Sequence, residues 1–193
     1  MSLKSESGEP LGLELRAVLL NTASASAKCG VESGGALEVS AEEYAIELRQ
    51  VRASFVTLRI EGTLRGCMGS SDPVRALVED VAHNAYSAAF LDPRFFPLTA
   101  EELPRLDIHI SVLSPLERLS CPSEADLLAV VRPGVDGLLL REGSRGGTLL
   151  PSVWETLPEP HVFLRELKLK AGFRVDYWSE NIEVFRYTTE SFP

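Results

Sequence analysis

Residues 55–60 alternate, with Val56, Leu58 and Ile60 on one side and Phe55, Thr57 and Arg59 on the other. A second β-like run over residues 63–68 follows the dipeptide Glu61-Gly62. A period of two on both sides of a short glycine-bearing break predicts an antiparallel hairpin. With the loop confined to Glu61-Gly62, Cys67 stands opposite Val56 and Arg65 opposite Leu58, so both side chains leave one face of the sheet. A one-residue change of loop length gives Cys67 another partner but keeps Arg65 and Cys67 together. The run ends in Arg65-Gly66-Cys67-Met68-Gly69, a cysteine between two glycines with a cation two residues upstream. The thiolate is the reactive form of cysteine, and a nearby positive charge lowers the cost of forming it.

The segment after the hairpin reads as a helix. Asp72 suits an N-cap and Pro73 the first helical position, and Val74, Leu77, Val78, Val81, Ala82, Ala85 and Ala88 mark an apolar stripe to about residue 90. That start would lie a few residues from Cys67, and its free N–H groups, with Gly66, Gly69 and Ser70 leaving room for close approach, predict a small-anion site beside Arg65. Upstream, a helix is expected from near Pro10, losing its pattern by Cys29-Gly30, and a shorter one over residues 41–50 with Ser40 and Glu43 as a capping box. Downstream, Asp92-Pro93-Arg94-Phe95-Phe96-Pro97 is an irregular turn, Thr99 with Glu102 caps a single helical turn, and residues 106–112 alternate as a half-buried strand carrying His109. A short helix is expected from Ser123 to about Val131. A second hairpin pairs residues 137–141 with 148–150 across a turn spanning 143–147. A helix over 161–171 closes at Gly172, and 182–187 is the last strand. Helices and strands mix without a regular βαβ alternation, which predicts an α+β fold with mainly antiparallel sheet.

The chain has 193 residues, 45% of them apolar, enough for one large domain or two small ones. A tail over residues 1–11 is expected to be disordered, with the folded part at 12–190. No run approaches the roughly 20 apolar residues that span a bilayer, and the polar opening residues lack a signal-peptide core, so the expected location is the cytoplasm. The net charge of −9 argues against nucleic acid as a partner, while leaving room for a small anion in a local basic pocket. Cys29, Cys67 and Cys121 are odd in number and widely spaced, which argues against a disulfide framework and a zinc site alike. No Walker lysine and no G-x-G-x-x-G occurs, and no cofactor is expected.

Each candidate has a plain reading beside its functional one. Cys67 is either an activated thiol or a small residue filling the core opposite Val56, and Arg65 either holds an anion or pairs with one of the many carboxylates. Asp92 and Arg94 either line a cleft or tie down their own turn. A Cys/His pair needs an imidazole in reach, and His109 is better placed for this than His83 or His161. Cys29 and Cys121 read as structural.

The hexapeptide Leu64-Arg65-Gly66-Cys67-Met68-Gly69 resembles the signature of the AMMECR domain family, whose usual form has Ile at the place of Met68. Phe55-Val56-Thr57-Leu58, Asp92-Pro93-Arg94-Phe95, Ile110-Ser111-Val112-Leu113-Ser114, Leu149-Leu150-Pro151 with Val153, and Lys170-Ala171-Gly172 occur in the family's order. Ser152 and Lys168 depart from it, standing where many members carry Gln and several carry Cys. The resemblance implies an α+β fold of two unequal subdomains. It also implies a likeness to protein A of the AmmeMemoRadiSam system, with a Memo-like protein and a radical SAM protein as partners. Two functions stay open: a substrate-handling component or thiol-dependent enzyme built on Cys67, Arg65, Asp92 and Arg94, and a non-catalytic partner whose motif is a structural hairpin.

Overall fold

A computed structural model describes residues 10–193. Most of the tail expected over residues 1–11 lies outside the described residues, but Leu11 is packed in the core and donates its N–H to Glu190 (2.9 Å). The chain forms two compact units, one running to Leu113 and regaining Glu190–Pro193, the other spanning Ser114–Thr189. Each carries its own four-stranded sheet, so the α+β expectation holds.

In the first unit the strands are β1 (Ser54–Ile60), β2 (Thr63–Gly69), β3 (Leu106–Leu113) and β8 (Thr189–Phe192), in the order β2-β1-β3-β8. Helices α1 (Leu13–Ser33) and α3 (Leu77–Phe90) pack on each other, and α3 lies against β1 and β2. Val56, Leu58, Ile110 and Val112 meet Leu19, Ala23, Ala27, Leu77, Val81 and Ala85 in one core. Contrary to expectation, α1 does not fail at Gly30. A Cβ there would lie 2.2 Å from the Phe90 ring, so this glycine serves helix packing, and the helix ends at Gly34, whose φ of 78° closes it. The capping box at Ser40 is absent too. Ala41 gives its N–H to Glu79 (3.4 Å), and residues 41–50 split into a turn at Ala41–Glu43 and the short α2 (Ile46–Arg49).

Helix α3 starts later than the sequence suggests. Asp72 and Pro73 do not begin it. Val51 bridges Ala76, and Leu77 gives its N–H to the Gln50 carbonyl (2.9 Å), which holds the preceding segment extended until Leu77. Asp72 instead donates its N–H to the Ser70 hydroxyl (3.0 Å). The anion site expected near Gly69 and Ser70 therefore has no adjoining helix N-terminus, and the first turn of α3 carries Glu79 and Asp80.

The second unit orders its strands β4 (Glu117–Leu119), β7 (Glu183–Tyr187), β5 (Gly137–Glu142) and β6 (Arg145–Leu149). Its helices are α4 (Glu124–Val130), started by a Ser123/Asp126 capping box, and α5 (Pro160–Lys170). The β5–β6 turn is tighter than expected. Glu142 pairs with Arg145, and the glycines beyond belong to β6, where a Cβ on Gly147 would come within 2.8 Å of the Ala171 backbone. Trp154 stacks on Phe163 with ring centroids 3.8 Å apart. Lys168 is fully buried, its Nζ bonded to Glu124 and to the Val175 carbonyl (3.0 Å).

Candidate functional site

The hairpin turn is the predicted Glu61-Gly62, and both residues have positive φ (53° and 77°), as a two-residue turn between twisted strands requires. Ile60 pairs with Thr63 and Arg59 with Leu64, but the register then shifts, and Leu58 stands opposite Gly66. Arg65 is the extra residue of this bulge, with no partner across the ladder. One inserted residue exchanges the faces of everything beyond it. Cys67 accordingly pairs with Thr57, not Val56, and leaves the sheet on the side away from the core. Gly66 and Met68 take the core side. Reading Cys67 as a filler opposite Val56 is thereby excluded, and the strict alternation that put Arg65 on its face is broken.

The glycines have steric reasons. A Cβ on Gly66 would sit 2.0 Å from the Ala88 carbonyl oxygen on α3, and one on Gly69 2.3 Å from the Ser54 carbonyl oxygen. Arg65 is spoken for. Its Nε and Nη2 bond both carboxylate oxygens of Glu102 (2.6 and 3.0 Å), Nη2 also reaches the Phe96 carbonyl (3.0 Å), and its Nη1 is buried without a hydrogen-bond partner. Asp92 is buried and accepts the Cys67 N–H (2.9 Å), the Arg94 N–H (3.1 Å) and two bonds from the Arg94 guanidinium (2.9 and 2.6 Å). Arg94 also approaches the Cys67 carbonyl through Nη2 (3.4 Å), and both guanidiniums lie near the Phe95 ring, at 5.9 Å for Arg65 and 5.5 Å for Arg94. The turn at 92–97 thus fastens the back of β2 at the residue carrying the thiol.

Cys67 is half-buried, and its sulfur accepts a hydrogen bond from the Thr57 hydroxyl (3.3 Å). Thr57 pairs on its other side with His109 of β3, so Cys67, Thr57 and His109 form one row across three strands. Thr57 and Glu102 are the residues that sequence reasoning missed; Thr57 becomes visible only once the bulge is known. Ser70 and Gly69 close the far end of β2, where Ser70 gives its N–H to Ser54 (3.3 Å). His83 on α3 and His161 on α5 are exposed, and neither belongs to this sheet. Cys29 lies beside Ser33 on α1, and burial pushes the Cys121 thiol up. Among the described residues no group of three or more His, Cys, Asp or Glu side chains is arranged to hold a metal ion, and no helix is long and apolar enough to cross a membrane.

The AMMECR1 family profile matches residues 20–192. The chain belongs to the AMMECR1 family. A protein of Methanothermobacter thermautotrophicus is 40% identical over 150 residues, covering 75% of this chain and 76% of its own. One from Methanopyrus kandleri is 33% identical over 194 residues, covering 96% and 91%. The crystal structure of an uncharacterized protein, PH0010, from Pyrococcus horikoshii superposes with a TM-score of 0.81 at 32% identity, covering 90% of this chain and 88% of that one. In this AMMECR1-family chain the expected hexapeptide is therefore a bulged strand whose glycines admit α3 and Ser54, and whose cysteine faces outward.

Two carboxylates hold that strand by charge. The Arg94 hydrogen bonds, helped by the Cys67 N–H, keep the Asp92 carboxyl well below its usual range, and Arg65 with the Thr99 N–H brings Glu102 from 4.5 to about 2. Both folded values are depressed, so their stabilisation is complete above the ordinary carboxylate range and fades as pH falls towards the folded values. Amide-exchange protection of the Cys67 N–H, which is donated to Asp92, is expected to drop several-fold between about pH 5 and pH 2. Protection that holds steady through this interval would show that the Asp92 and Glu102 pairs do not secure the strand.

Proposed function

We propose that this AMMECR1-family protein handles a small substrate at the Cys67 thiol, on the outward face of its first sheet. One observation carries the reading: the bulge at Arg65 turns the sulfur away from the core, and Thr57 donates a hydrogen bond to it. The hydroxyl fixes the sulfur on the outward face of a half-buried residue, where a small molecule can approach it. The half-exposed Arg94 supplies the neighbouring cation. Since Asp92 already neutralises it, a ligand oxygen would meet the guanidinium through its outer hydrogen bonds more than through net charge. Resemblance to protein A of the AmmeMemoRadiSam system makes a Memo-like protein and a radical SAM protein the partners to test.

Alkylation of the native protein, read by peptide mass, tests the thiol. Cys67 is expected to label about tenfold faster near pH 7 than Cys121, whose thiol burial pushes up. Faster labelling of Cys121 or Cys29 would overturn the reading. A specific observation favours the second reading, a structural hairpin in a protein that docks others: Gly66, Gly69 and Arg65 are each accounted for by packing or by Glu102. An unreactive Cys67 would make it the better one.

A further inference from the structure

We infer that the Asp92–Arg94 pair guards the open edge of β2: it fills the place of a neighbouring strand, and the strand it holds off is the β2 of a second copy of this chain. The inference stands apart from the thiol reading. β2 lies at one edge of the sheet ordered β2-β1-β3-β8. Main-chain groups on such an edge are a template for any extended chain, which proteins prevent with charge, proline or a covering loop. At Cys67 both groups are taken. Asp92 accepts the N–H (2.9 Å) and Arg94 donates to the carbonyl through Nη2 (3.4 Å), which are the two bonds a paired strand would make there. Arg94 also bonds both Asp92 oxygens (2.9 and 2.6 Å), so the two side chains act as one unit. β2 has few defences of its own. Its seven residues hold no proline and one charge, Arg65, which is engaged by Glu102. The opposite edge, β8, is four residues long and carries Glu190.

Self-complementarity selects the second copy. Cys67 presents one donor and one acceptor on the same edge, and an antiparallel pair exchanges both bonds between two directly opposed residues. A two-fold axis at Cys67 lets each Cys67 satisfy the other, in the closed, isologous arrangement of symmetric dimers. The two Cys67 side chains then lie on one face of the joined sheet with Cα atoms about 5.5 Å apart, within the span of a disulfide. The turn meets β2 through side chains. Arg65 Nη2 on the Phe96 carbonyl (3.0 Å) is a further tie, and among the described residues no main-chain hydrogen bond joins residues 92–97 to the strand. With the Asp92–Arg94 pair removed, an incoming strand can take the turn's place. The net charge of −9 on each copy opposes the approach, but physiological salt screens it beyond about 8 Å.

Sedimentation velocity of the full chain over a concentration series tests the guard. Wild type is expected to stay monomeric, and the double variant Asp92→Ala, Arg94→Ala to dimerise at least about tenfold more tightly than any wild-type association. Adding Cys67→Pro to the double variant should restore the monomer. The Cys67 N–H points away from β1, so proline there removes no ladder bond while it blocks the edge. Diamide reads the register: two thiols lose their hydrogens to the azo reagent, which becomes a hydrazine, and a Cys67–Cys67 disulfide between copies is expected in the double variant alone. Should the double variant fail to fold, as read by circular dichroism, Arg94→Ala replaces it, with a smaller shift expected in the same direction. A folded variant that stays monomeric, association that Cys67→Pro leaves in place, or copies cross-linked through Cys29 or Cys121 instead would overturn the guard. A wild-type chain that already dimerises and cross-links at Cys67 would overturn it too, because the edge would then be open.

Discussion

Gly66→Ala is expected to destabilise the first unit by roughly 3 kcal/mol, at the upper end of what overpacking by a single methyl costs. The added Cβ would lie 2.0 Å from the Ala88 carbonyl oxygen and 3.0 Å from its carbon. Ala88 is buried in α3, and its carbonyl belongs to a helix backbone that cannot swing aside as a rotamer would. Relief requires α3 to lift from β2, which opens the core where Leu58, Val81 and Ala85 meet. Gly62→Ala is the control. Nothing lies within 4 Å of its Cβ, and only its φ of 77° opposes a side chain, at a cost of about 1 kcal/mol. Urea unfolding of both variants separates packing from backbone conformation. A Gly66→Ala midpoint close to that of Gly62→Ala would show that α3 yields to β2, and the motif glycine would need a reason outside packing.

The hairpin illustrates what a sequence can and cannot convey here. Strand alternation, the Glu61-Gly62 turn, the strand at 106–113 and the helix at 160–170 are local signals, and they are legible as such. The bulge is not. Nothing in the order Leu64-Arg65-Gly66 says that Arg65 is unpaired, because the cause lies in Ala88 of α3, which needs Gly66 beneath it, and in Glu102, which draws Arg65 out of the ladder. The same non-local logic moved the start of α3 from Asp72 to Leu77, through pairing of Ala76 with Val51, and carried α1 past Gly30, through the ring of Phe90. The short strands β4 and β8 lack enough residues to show a period at all. Candidate residues Cys67, Asp92, Arg94 and His109 were nameable from type and motif. Thr57, which joins two of them, depends on register.

Asp80 is expected to give the protein a pH dependence opposite in sign to that of Glu102. It sits on α3 with no exposure, and its Oδ2 accepts from the Ser54 N–H (2.9 Å), the Ser54 hydroxyl (2.7 Å) and the Asn84 amide (2.8 Å). Its Oδ1 has no hydrogen-bond partner, and Arg75 is 3.6 Å away. Burial raises the carboxyl above its ordinary 3.8, outweighing the Ser54 donors and the Arg75 charge. A folded value above the unfolded one means that the native state holds a proton the unfolded chain has lost. The resulting stabilisation is complete below pH 3.8 and is lost as pH rises through the folded value. Asp80→Ala strips the acceptor from buried donors that pin β1 to α3, at about 2–4 kcal/mol. Asp80→Asn keeps an acceptor oxygen and the shape but cannot titrate. Urea unfolding of wild type and Asp80→Asn across this range should therefore show the wild-type advantage shrinking as pH rises, by about 1.4 kcal/mol for each unit of pKa displacement. An advantage that grows with pH would mean that Ser54 and Arg75 hold Asp80 ionised, and that the pairing, not the burial, sets its charge.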